Sequence, residues 1–192
     1  MTLFACGQKG TSETTVPVTE VKKAPATTAP LFDADSAYAY VEKQVSFGYR
    51  VPNTQAHKAC GDYLASELKR FGAQVYEQEA TLTAYDGTPL ESRNIIGSFN
   101  PDKDKRILLF AHWDTRPYSD HDPDPANHKK PLDGADDGAS GVGALLEIAR
   151  QIGMKAPETG VDIIFFDAED YGTPEFAKDR YNDCLLYTSP SP

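Results

Sequence analysis

Apolar residues run in two unbroken stretches that stop on charged ones, with a glycine-rich acidic loop between them. The first stretch is RILLFAHWD (residues 106–114), the second is VDIIFFDAED (161–170), and the loop is GADDGASG (134–141). Short continuous runs of this kind predict strands buried on both faces, usually parallel and covered by helices. The carboxyl ends of such strands open onto the ligand crevice of an α/β sheet. The pattern therefore predicts that His112, Asp114, Asp136, Asp137, Glu169 and Asp170 meet in one cleft. Mostly acidic groups at such range repel one another unless a cation sits among them, and a divalent metal answers that need.

The rest of the pattern frames these runs. Residues 31–48 carry Ala37, Tyr40, Val41 and Val45 at helical spacing, with Asp33 as cap. A second helix is predicted over 56–72, capped by Asn53 or Thr54 and stopped by Gly72. Residues 73–83 and 93–99 predict strands joined around the turn dipeptide Asp86-Gly87. Residues 113–133, crowded with Pro, Asp and His, predict a long loop, and loops of that length are usually functional or disordered. A third helix over 139–152 has Leu145, Leu146, Ile148, Ala149 and Ile152 on its apolar face. Helix–helix–hairpin–strand–helix–strand is an α/β order with a mixed sheet.

At 192 residues the chain is long enough for one domain with a substantial core. A formal net charge of −10 without a Lys/Arg cluster argues against nucleic acid as a partner. No apolar stretch approaches the length of a bilayer span. The spacing of Cys6, Cys60 and Cys184 matches no zinc-ribbon or CxxC pattern. Cys60 falls in a helical pattern and reads as a small buried hydrophobe, and the sequence leaves a Cys60–Cys184 disulfide open. MTLFACG is similar to the end of a bacterial lipoprotein signal, which would attach lipid at Cys6. The short apolar stretch and the lack of a preceding basic residue leave chance likeness an even alternative. Residues 8–30, rich in Thr, Pro, Ala, Glu and Lys, suit a disordered tether. The chain thus divides into a lipobox-like start and tether (1–30), a folded domain (31–182) and a tail (183–192) that reads as truncated or non-native.

Zinc accepts imidazole nitrogen and carboxylate oxygen, and a catalytic site keeps one position open. His112-x-Asp114 supplies a ligand and, two residues on, a carboxylate that orients a neighbour. Asp137 sits at the mouth of a helix and reaches the same point. Glu169 and Asp170 are adjacent, so their side chains diverge: one for metal, the other as general acid or base. Each piece alone has a plainer reading. Asp-Asp-Gly is often a turn or cap, Glu-Asp a solvated loop start, and a lone His a hydrogen-bonded structural residue. Asp133 and Asp167 read as loop caps and supports, His121 and His128 as exposed, and His57 as a first-turn helix residue without special role. Co-occurrence at the same end of one sheet favours a site.

AHWDTRP, GADDGASGVGALLEIAR and FFDAEDYG together resemble the zinc exopeptidase family that includes bacterial leucyl aminopeptidases and glutaminyl cyclases. AHWDTRP, the intact loop after it and DAEDYGTPEF resemble the glutaminyl cyclase branch, and the likeness runs from about residue 32 to 181. The resemblance implies a three-layer α/β sandwich with a mixed, mostly parallel central sheet, truncated at its C-terminus. It implies Asp137 and Asp170 as zinc ligands and Glu169 as the catalytic acid/base. His112 and Asp114 match the position of a second zinc in aminopeptidases, whereas cyclases of this branch hold one. Trp113 stands as an apolar wall of the substrate pocket or, equally, as a packing residue. The family's remaining His ligand and a further acidic residue come from a C-terminal half that this sequence does not contain, so the chain alone is expected to be inactive. The implied function is a zinc-dependent glutaminyl-peptide cyclotransferase, which converts N-terminal Gln of peptides to pyroglutamate and releases ammonia in the bacterial cell envelope or periplasm. The alternatives are a two-zinc aminopeptidase acting on peptide N-termini and a non-catalytic surface lipoprotein that binds metal or peptide.

Overall fold

The computed structural model describes residues 30–177. The predicted helices form where their caps lie. Helix α1 (Ala34–Val45) starts at Asp33, whose carboxylate accepts from the N–H groups of Asp35 and Ser36. Helix α2 (Gln55–Arg70) starts at Thr54, whose hydroxyl accepts from the N–H of His57. The hairpin is longer than the sequence pattern predicts: β1 (Gln74–Thr83) pairs antiparallel with β2 (Pro89–Phe99) along its whole length. The pattern starts the second strand at residue 93, whereas β2 begins at Pro89, and proline is tolerated as the first residue of a strand. The two apolar runs become β3 (Arg106–His112) and β4 (Gly160–Phe166), and helix α3 (Ala139–Met154) lies between them in sequence.

The strands form one mixed sheet in the order β1-β2-β4-β3. The β2–β4 pairing is antiparallel and the β3–β4 pairing parallel. Among the described strands, antiparallel pairings therefore outnumber the parallel one. Cys60, Leu64 and Leu68 of α2 and Val142, Leu146 and Ala149 of α3 are buried against Ile95, Ile163 and Phe165 of the sheet. Helix α1 packs on α3. Cys60 is free and wholly buried, and burial pushes its thiol up to about 12.

One expectation is corrected. β3 is not buried on both faces: Leu108 is 55% and Phe110 63% exposed. Among the described residues it is an edge strand, and the helices pack against the opposite face of the sheet. The described residues thus supply the sheet and one helical layer of the expected sandwich. Cys6 and its lipobox, residues 1–29 of the tether, Cys184 and the tail lie outside the described residues.

Candidate metal centre

Because β3 and β4 run parallel, the residues after both strands emerge at the same end of the sheet. His112 is the last residue of β3, and Asp114 follows two positions on. Asp167 is the first residue past β4, with Glu169 and Asp170 just beyond. Asp137 arrives from the loop before α3. That loop turns at Gly138, which sits at φ +91° as the helix cap; a Cβ there would lie 2.7 Å from the Asp114 carbonyl oxygen. Only glycine allows both the left-handed backbone and the close approach.

Five of the six predicted groups come together. His112 Nε2 lies 2.9 Å from Asp137 Oδ1, while Nδ1 lies 3.5 Å from Asp114 and 3.9 Å from Glu169. Single ligand atoms of His112, Glu169 and Asp170 all lie within 4.8 Å of one another. The sixth group, Asp136, is exposed, and its carbonyl accepts from Ser140.

Asp114 has no exposed surface, and its two oxygens accept from the backbone N–H groups of Glu169 (3.2 Å) and Asp170 (3.0 Å). It thereby fixes the loop that carries both residues. Burial pushes its carboxyl up, against the pull of His112 and of the Asp170 N–H. Asp170 is pushed up to about 7, first by burial and then by the charges of Asp114, Asp137 and Glu169. Burial works against a protonated His112, but the neighbouring Asp114, Asp170 and Glu169 outweigh it and lift the ring to about 9.

These carboxylates and one imidazole form a donor set suited to zinc. His112 Nδ1 supports that fit: it is buried without a hydrogen-bond partner.

Trp113 corrects one reading. It has no exposed surface and belongs to the main core, so it packs rather than walls a pocket. Its indole stacks on the His57 ring, with centroids 4.3 Å apart, and donates to the Arg93 carbonyl. The long loop after β3 is ordered. Arg116 clamps Asp120 at 2.7 Å and donates to the Asp170 carbonyl, tying the loop to the site. Asp133 is exposed; His121 is too, but His128 is half-buried and bonded to the Asp122 carbonyl.

Two buried side chains escape sequence reasoning. Arg50 donates to the carbonyls of Trp113, Asp133 and Gly134, joining the end of β3 to the Asp137 loop. His57, only 6% exposed, contacts both Asp167 oxygens at 2.8 and 2.9 Å. Neither carries a local signal, because their partners lie about 60 to 110 residues away.

Residues 94–183 match Peptidase family M28. Among solved structures, the chain is similar to a Zn-dependent exopeptidase from Parabacteroides distasonis (78% identity, TM-score 0.80, 82% of this chain and 55% of that one). It is also similar to the Tannerella forsythia glutaminyl cyclase (69% identity, TM-score 0.78, 80% of this chain and 52% of that one). The Escherichia coli protein YfbL is 32% identical over 124 residues, 65% of this chain and 35% of its own length. The chain thus spans about half the length of these solved structures and about a third of that curated relative. Its fold is the zinc-exopeptidase-like fold of those solved neighbours.

Proposed function

We propose that this chain, with its M28 zinc-exopeptidase-like fold, is part of a zinc-dependent glutaminyl-peptide cyclotransferase. The observation that carries the reading is the convergence of His112, Glu169 and Asp170 at one end of the sheet, in a chain 69% identical to a glutaminyl cyclase over the matched part. Asp137 and Asp170 would hold one zinc ion, with His112 in reach. Bound there, zinc would supply Lewis acidity toward the γ-carbonyl of an N-terminal Gln.

Glu169 is the acid/base of this reading. It takes a proton from the substrate α-amine as that nitrogen bonds to the side-chain carbonyl carbon (Cδ), then returns one to the amide nitrogen as its bond to that carbon breaks and it leaves as ammonia. The reacting groups belong to one residue, so the site's main task is to hold a folded-back conformer. Asp114 keeps Glu169 and Asp170 oriented through their N–H groups.

The runner-up is a two-zinc aminopeptidase, a reading in keeping with the likeness to a Zn-dependent exopeptidase. The test is a chimera in which residues 31–177 replace the matching segment of the Tannerella cyclase. The folded chimera should release ammonia from a Gln-initiated peptide. Release of aniline from a Leu-anilide without ammonia would overturn the cyclase reading in favour of the aminopeptidase.

A further inference from the structure

The ends of β3 and β4 carry the site, and one side chain of α2 touches both. Facing only the Asp167 carboxylate, whose oxygens accept, His57 Nε2 is the donor of the contact and reaches both oxygens. The opposite contact is the face of Trp113, stacked at an interplanar angle of 17°. Trp113 lies between His112 and Asp114, and Asp167 lies two residues before Glu169.

Asp167 is wholly buried and fully engaged. Besides His57 it accepts from the backbone N–H groups of Arg93 (2.7 Å) and Ala168 (2.8 Å), and its own N–H donates to Asn94 Oδ1. Ala168 stands at φ +62°, a left-handed conformation that residues with a Cβ rarely adopt. A backbone held there needs neighbours that over-determine it. On one side of the kink that role falls to Asp114, through the N–H groups of Glu169 and Asp170; on the other it falls to Asp167.

We propose that His57 is a positioning residue for the metal centre: its hydrogen bond to Asp167 sets the kink that presents Glu169 and Asp170, while its stack on Trp113 serves the packing of the core. The inference rests on the zinc reading only in the second arm of its test.

Two variants of the 192-residue chain separate the contacts. His57→Phe keeps a ring on Trp113 and loses the donor; His57→Gln keeps a donor and loses the ring. The first readout, hydrogen exchange of the amides of residues 168, 169 and 170, needs no metal. Protection should fall about tenfold in His57→Phe and stay near the parent in His57→Gln. The second readout is affinity for Zn²⁺ alone, by competition with a chromogenic chelator, which should weaken about tenfold in His57→Phe. Unchanged amide protection or unchanged zinc affinity in His57→Phe overturns the proposal. So does an equal loss in both variants that merely tracks a lower melting temperature. If the parent binds no zinc, the amide response alone decides the positioning role.

Discussion

Replacing Glu169 with glutamine in the chimeric cyclase should lower kcat for ammonia release by about 100- to 10,000-fold, the usual contribution of a positioned acid/base. Glutamine matches glutamate in size and keeps a carbonyl oxygen, but it has no proton to shuttle. Glu169 also offers an oxygen within ligand reach of the centre, so the same variant decides between two roles. As acid/base, Glu169→Gln leaves zinc affinity and KM near the parent while kcat collapses. As a ligand, it weakens zinc binding along with turnover. Parallel zinc titration and steady-state kinetics on one preparation read both outcomes, and loss of zinc in proportion to activity would refute the assigned role.

The second large effect is expected at Asp114. Its two oxygens are each committed to a different N–H group, those of Glu169 and Asp170. Asp114→Asn keeps the shape but turns one acceptor into an NH₂ group facing a backbone donor. One N–H then loses its partner at a part-buried contact, and the loop must shift. The variant also removes a negative charge that pushes the Asp170 carboxyl up. The geometric loss outweighs that relief, because carboxylates that orient ligands typically contribute about 10- to 100-fold to metal affinity. Zinc affinity of Asp114→Asn should fall by that factor. An affinity equal to the parent's would show that Asp114 does not organise the centre.

Much of this architecture is written in local pattern. Asp33 and Thr54 announce their helices through a side chain that caps the first turn, and Asp86-Gly87 marks its hairpin. The convergence of the charged strand ends was legible too, since a parallel strand pair sends its following loops to one side. What stayed hidden depends on contacts distant in sequence. RILLF reads the same in a central strand as at an edge, so the exposure of Leu108 and Phe110 could not be foreseen. His57 looks like any first-turn residue until Asp167, 110 positions later, comes to rest against it. Trp113 sits between two site residues, but strand alternation turns it inward to the core, away from the cleft.

The central claim is that the ends of β3 and β4 and the loop before α3 share one cation. An anomalous difference map at the zinc edge, from a crystal of this chain grown with zinc, tests it most directly. The account predicts one strong peak at about 2.0–2.2 Å from a carboxylate oxygen of Asp170 and of Asp137. A zinc peak elsewhere, or one that leaves either carboxylate uncoordinated, would contradict it.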